Sequence, residues 1–142
     1  MEASNKAPEQ DYLSIWQTCV EMANNVSQRR DSMNNLFVTL NIALIAAISW
    51  MWDIKTLFLC AAGIALCIVW LLYINNFKRL NTAKYQVIWE LEQKIGTCPF
   101  KEEWEVLKKT KHYLEGTRLE RILPITFGIG YAVVFLVLIC LH

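Results

Sequence analysis

The side chains that could carry out catalysis or bind a metal are few in this sequence, and their spacing suits neither task. The two histidines, His112 and His142, have no second ligand at a metal-binding spacing. Glu90 and Glu92 stand two residues apart, which places them on different faces of a helix and argues against a catalytic pair. No HExxH, GxSxG, GxGxxG or phosphate-binding glycine loop occurs. We therefore expect no enzymatic activity, no cofactor and no bound metal.

Cysteine chemistry is equally weak as an indication of function. The chain has five cysteines, an odd number, and no CxxC pair. Buried free cysteines commonly behave as small apolar residues. We interpret all five in that way: Cys19, Cys60, Cys67, Cys98 and Cys140.

Three long segments contain no Asp, Glu, Lys or Arg: residues 36–52, 56–73 and 122–141, of 17, 18 and 20 residues. Only 19% of the chain is charged, against about 25% in an ordinary soluble domain. About 20 helical residues cross a hydrocarbon core of roughly 30 Å. Backbone groups in lipid must find partners within their own segment, which favours helices. The sequence predicts an all-α integral membrane protein with three transmembrane helices.

The distribution of basic residues predicts the orientation of these spans. Thirteen of the 14 lysines and arginines precede the first segment or lie between the second and third, and only Lys55 lies between the first and second. Because basic residues are retained in the cytoplasm, the N-terminus should be cytoplasmic and the C-terminus should be on the opposite side. A net charge of +1 gives no reason to expect nucleic acid as a partner.

Two parts of the chain outside the spans have helical patterns of their own. Residues 1–33 should form an N-terminal cytoplasmic amphipathic helix, with residues 34–75 as a transmembrane hairpin. Residues 76–121 should form a cytoplasmic helical hairpin, broken near Gly96 and Pro99, before the third span at residues 122–142. Heptad-like or helical spacing predicts packing in this hairpin for Phe77, Leu80, Lys84, Phe100, Trp104 and Leu107.

Polar and small residues in the spans predict self-association, because lone polar groups in lipid are costly. Asn34, Thr39 and Asn41 lie in or near the first span, and Gly63 and Cys67 belong to a small-residue face of the second. Asn41 is the deepest polar residue, and either a pore-lining position or a hydrogen bond between helices would account for it. Arg29 and Arg30 should meet lipid headgroups.

Three motifs, in this order, give a family resemblance. The first is Arg29-Arg30 with Asn34, Phe37 and Leu40-Asn41; the second is Leu80-Asn81-x-Ala83-Lys84 with Val87-Ile88 and Glu90; the third is Pro99-Phe100-x-x-Glu103-Trp104-x-x-Leu107 with Thr117, Glu120 and Pro124. From Tyr12 onward the chain resembles the RipA-like family of small octameric bacterial membrane proteins. The resemblance implies a bacterial cytoplasmic membrane, a homo-oligomer of eight chains and no catalytic residues. It marks Lys84, Glu90, Glu103 and Trp104 as family-pattern positions with a structural role in the hairpin.

Two functions therefore compete. The first is a homo-octameric inner-membrane assembly that forms a pore or channel linked to ion or pH homeostasis. The alternative is a membrane scaffold or sensor whose charged helical collar recruits a cytoplasmic protein. The expected partners are the lipid bilayer, other copies of the chain and, in the second case, that cytoplasmic protein.

Overall fold

A computed structural model describes residues 6–50, 55–110 and 116–141, and it is helical in nearly all of them. Its four helices are α1 (Lys6–Trp50), α2 (Thr56–Ile95), α3 (Pro99–Lys109) and α4 (Gly116–Leu141). The three long helices α1, α2 and α4 are each long and apolar enough to cross a membrane. This confirms the all-α fold with three candidate spans. The end of the first predicted span, at residues 51 and 52, and most of the loop after it lie outside the described residues.

Two of the helices are much longer than a bilayer requires. α1 has 45 residues and α2 has 40, and each includes both an apolar and a polar part of the sequence. The helix predicted after the second span is therefore the second half of α2. A change from apolar to polar side chains alters the surroundings that a helix prefers, but it removes no backbone hydrogen bond.

The junction between α2 and α3 follows the predicted breakers. Gly96 has φ +88°, and its N–H donates to the Glu92 carbonyl at 2.9 Å. This left-handed conformation suits glycine and is common just beyond a helix end. Pro99 then occupies the first position of α3, where the missing N–H removes no helical bond.

The chain divides into two compact units. We call residues 30–50, 55–76 and 116–141 the apolar unit, and residues 6–29 and 77–110 the charged unit.

The apolar unit is a three-helix structure with one narrow inward stripe per helix. In α4 the buried residues recur every seven positions, at Thr117, Pro124, Tyr131 and Leu138. This is the spacing of helices that wrap around each other with a left-handed twist. Only 17%, 28% and 17% of the most apolar windows of α1, α2 and α4 are buried. Most of their apolar surface therefore faces outward, towards lipid or another protein.

In the charged unit, aromatic side chains from all three of its helical segments meet. Trp16 of α1 lies 5.9 Å from the Phe100 ring of α3, measured between ring centroids. Tyr85 of α2 meets the same Phe100 ring edge-on at 5.9 Å. Phe100 therefore links the three segments of this unit.

Candidate functional site

The innermost polar group of the apolar unit is Asn41, which is 0% exposed. Its Nδ2 donates to the Phe37 carbonyl at 2.8 Å, and its Oδ1 accepts from the Tyr131 hydroxyl at 3.0 Å and from the Cys67 thiol at 3.6 Å. We call Asn41, Cys67 and Tyr131 the polar node. Because the three residues come from α1, α2 and α4, their hydrogen bonds join all three helices of one chain.

Gly63 makes this arrangement sterically feasible. A Cβ atom placed on Gly63 would lie 2.7 Å from the Tyr131 ring, closer than real Cβ contacts allow. Since Tyr131 is only 3% exposed, its ring has little room to move aside. The predicted small-residue face of α2 is therefore occupied within the same chain, with Gly63 against Tyr131 and Cys67 against Asn41.

A second polar contact also joins α1 and α2 of the apolar unit, at a position earlier along α1 than the polar node. The Trp70 indole N–H donates to Asn34 Oδ1 at 2.9 Å. The Trp70 ring stacks on Phe37, with centroids 5.5 Å apart and an interplanar angle of 8°. Asn34 thus has a partner inside its own chain, in line with the rule that polar groups in a membrane protein seek hydrogen bonds with other helices.

The two arginines predicted to anchor headgroups have different surroundings. Arg29 is exposed, whereas Arg30 Nη2 lies 3.2 Å from Glu120 Oε1, with both side chains about one-fifth exposed. Arg121 donates to Asn75 in the same unit. The contact with a headgroup remains a prediction, and Arg29 is the arginine whose exposure suits it.

Thr39 belongs to an outward face of α1. Its hydroxyl is exposed and donates to the Asn35 carbonyl at 2.9 Å, and Ser49 likewise donates to Ile45. Spacings of three and four residues put five exposed residues on this one face. We call this face the α1 polar stripe, and its members are Asn35, Thr39, Ile42, Ala46 and Ser49.

In the charged unit, α2 and α3 enclose a cleft of about 390 Å³. Four aromatic residues line it: Tyr85, Trp89, Phe100 and Trp104. The other lining residues are Asn81, Thr82, Glu103 and Leu107. We call this site the aromatic cleft. It brings together four residues that the sequence placed in the hairpin: Phe100, Glu103, Trp104 and Leu107.

A buried carboxylate supports the α3 side of the cleft. Glu92 is 1% exposed, and its Oε1 accepts from the Phe100 N–H at 3.1 Å. Cys98 at the N-cap makes no side-chain hydrogen bond, so Glu92 satisfies one of the free N–H groups at the start of α3. A negative charge at this position is also favoured by the helix dipole.

The remaining hairpin residues lie away from the cleft. Lys84 is half-buried beside a crevice of about 230 Å³ that Cys19 and Met22 also line. Phe77 is half-buried, whereas Leu80 and Glu90 are exposed. The packing of Phe77 and Leu80 within or between protomers, and the structural role of Lys84 and Glu90 in the hairpin, remain predictions.

Nearly the whole chain is similar to a known family of proteins. The model of the octameric membrane protein family (8xMP) matches residues 13–140. The chain belongs to this family. A search of curated proteins and a search of solved structures each gave no match.

As a member of the octameric membrane protein family, the chain is a multi-pass membrane protein. In the part of the chain that the structure describes, no group of three or more His, Cys, Asp or Glu residues is arranged to hold a metal ion. The five cysteines are free thiols.

Several residues of these sites in this octameric membrane protein were not predicted from the sequence. Tyr131 could have been found, because a hydroxyl in the middle of an uncharged span needs a partner as Asn41 does. Nothing in the sequence assigned three further residues to the aromatic cleft or to its support: Tyr85, Trp89 and Glu92. Their shared surroundings depend on how α2 and α3 pack.

Proposed function

We propose that this chain is a non-catalytic membrane protein that assembles with seven further copies into a ring in the bacterial cytoplasmic membrane. The name of its family describes an octamer. The large outward apolar surface of α1, α2 and α4 supports contacts with lipid and with neighbouring copies. The strong bias of basic residues to one side supports a cytoplasmic N-terminus and a C-terminus outside.

The α1 polar stripe is the observation that favours a pore. Asn35, Thr39 and Ser49 are exposed within a helix whose neighbouring outward residues, such as Leu36 and Leu40, are apolar. An asparagine amide facing hydrocarbon is costly, so this face should turn towards water or another protein. If the stripes of eight copies face a common axis, Asn35, Thr39 and Ser49 provide polar groups for ions or small solutes along a lining that also includes the apolar Ile42 and Ala46.

In the proposed pore, Asn41 has a structural role. Its side chain is buried among the helices of its own chain, so it would hold the wall of the pore together and would not line it. The Thr39 and Ser49 hydroxyls donate to carbonyls one turn earlier, which lowers the cost of facing a narrow or partly dry pore.

The first test is the mass of the assembly in nanodiscs, measured by native mass spectrometry. Eight chains are expected, and a monomer or dimer would overturn the proposal. Ion flux is then measured in liposomes for the wild type and for Asn35→Leu with Thr39→Val. The matched control is Thr126→Val, because Thr126 is also exposed and donates to the carbonyl four residues earlier. Flux lowered by the α1 changes and kept in the control would support the pore.

A scaffold or sensor is the second candidate, favoured by the exposed charges of α3. Lys101, Lys108 and Lys109 share this short helix with three exposed glutamates. An octamer without flux would favour this function. Reversal of Lys108 and Lys109 to glutamate should then release a co-purifying cytoplasmic protein, whereas the α1 changes should retain it.

A further inference from the structure

We propose that the aromatic cleft of the charged unit binds a small water-soluble organic cation of the quaternary ammonium class. Nothing in the membership of the family or in the pore proposal requires such a site. The inference depends on three properties of the cleft: its aromatic walls, its charge and its size.

Aromatic side chains make up half of the residues in the walls. Tyr85, Trp89, Phe100 and Trp104 all line the cleft, and two of the four are indoles. The indole has the strongest attraction for a cation among the aromatic side chains, and clusters of such rings recognise quaternary ammonium groups. Trp104 already attracts an ammonium of its own chain, since Lys108 Nζ lies 5.5 Å from its ring centroid. Lys108 does not line the cleft.

The charge of the lining has the complementary sign. Glu103 is the one charged residue among the described residues of the lining, and its side chain is exposed. None of these lining residues is a lysine or an arginine. An anion would meet the Glu103 carboxylate, whereas a cation is attracted both by the carboxylate and by aromatic rings.

The size of the cleft limits the ligand to a small molecule. A volume of about 390 Å³ lies within the range of small-molecule sites, roughly 300–1,000 Å³.

The test uses the full chain in nanodiscs of phosphatidylglycerol, a lipid without a cationic headgroup. Choline is titrated by isothermal calorimetry, and its neutral isostere 3,3-dimethylbutan-1-ol is titrated in parallel. We expect saturable choline binding with a dissociation constant below about 1 mM, and at least tenfold weaker binding of the alcohol. Equal affinity for the two compounds would overturn the proposal, and so would an absence of saturable binding.

Three variants locate the site. Glu103→Gln and Trp104→Leu should each weaken choline binding about tenfold. Glu105→Gln removes the same charge from an exposed position of α3 outside the cleft, so it should bind as the wild type does. Native mass spectrometry shows whether each variant keeps the assembly of the wild type. Equal losses in Glu103→Gln and Glu105→Gln would indicate general electrostatics and would overturn the proposal.

A further titration in phosphatidylcholine nanodiscs identifies the source of the ligand. Unchanged choline affinity supports a soluble cation. A marked loss would mean that the lipid headgroup occupies the cleft, and it would overturn the assignment to a soluble ligand. This result is independent of the pore, because it is obtained without any measurement of flux.

Discussion

The centre of the apolar unit and the charged unit differ in how their buried polar groups are satisfied. The buried atoms of the apolar unit without a partner among the described residues, Arg30 Nε, Glu120 Oε2 and Arg121 Nε, lie away from that centre. In the middle of the apolar unit, Asn41, Cys67 and Tyr131 satisfy one another across three helices. In the charged unit, Trp16 Nε1 and Glu92 Oε2 are buried without hydrogen-bond partners among the described residues. A membrane interior enforces mutual satisfaction, because no water is at hand to replace a missing bond. The centre of the apolar unit is therefore closed by its own hydrogen bonds, whereas the charged unit leaves buried polar atoms without partners among the described residues.

The largest effect is expected where the helices of the apolar unit pack most closely. Gly63→Ala should lower the free energy of unfolding by about 2–3 kcal/mol, because the new methyl group would clash with the Tyr131 ring. Gly130→Ala is the matched control, since a Cβ there would meet nothing within 4 Å. The apparent melting temperature in mild detergent measures both. Equal shifts in the two variants would contradict a tightly closed unit.

The polar node can be tested by a double-mutant cycle. Asn41→Leu removes the side-chain acceptor of the Tyr131 hydroxyl but leaves the Asn41 carbonyl, which lies 3.2 Å from that hydroxyl. Tyr131→Phe removes the donor of both contacts. Each change should destabilise the protein, and their coupling energy should be about 0.6–1.7 kcal/mol, as for other hydrogen bonds within membranes. The cycle is measured by reversible unfolding in detergent micelles. Strictly additive effects would show that the node contributes no specific linkage between α1 and α4.

A smaller and local effect is expected in the charged unit. Glu92→Ala removes the acceptor of the Phe100 N–H and should weaken the start of α3 by about 1 kcal/mol, as the loss of a helix cap does. Hydrogen exchange of the first α3 amides should then be roughly fivefold faster. Glu90→Ala is the control, because Glu90 is exposed on the same helix. Equal exchange in both variants would contradict the capping role of Glu92.

The smallest effect is expected at the ion pair of the apolar unit. Glu120→Gln should cost about 0.5–1 kcal/mol, because the Arg30 and Glu120 side chains remain partly exposed to solvent and salt. Raising the ionic strength should reduce the difference between variant and wild type. Thermal unfolding at low and high salt measures this effect. A loss of stability larger than that of Gly63→Ala would show that the ion pair, and not the close helix packing, dominates the stability of this unit.

The sequence predicted the elements of the fold well, because its strongest signals are local. Three uncharged segments of 17 to 20 residues required three helices, and Gly96 with Pro99 correctly located the break between α2 and α3. The continuity of α2 from Thr56 to Ile95 was less evident. A change of polarity along the chain looks like a boundary, although the backbone hydrogen bonds continue through it.

The sequence predicted individual residues of the candidate sites, but it did not predict which of them lie together. Phe100, Glu103, Trp104 and Leu107 were assigned to packing, but their partners Tyr85 and Trp89 could not be chosen from the other aromatic residues of α2. Asn41 was recognised as important, whereas its partner Tyr131 lies 90 residues away in sequence. Periodicity gives the face of a helix, but it does not give the residue that the face meets.

The helical, membrane-spanning character of this chain follows from its amino-acid sequence alone, because helix formation and partition into lipid depend on side chains that are close together along the chain. Family membership is likewise a property of the sequence. Two features are visible only in the folded structure. Asn41 has its hydrogen-bond partners within its own chain, and four aromatic rings and a carboxylate line one cleft. These are contacts between distant segments, and they depend on the register and rotation at which the helices pack.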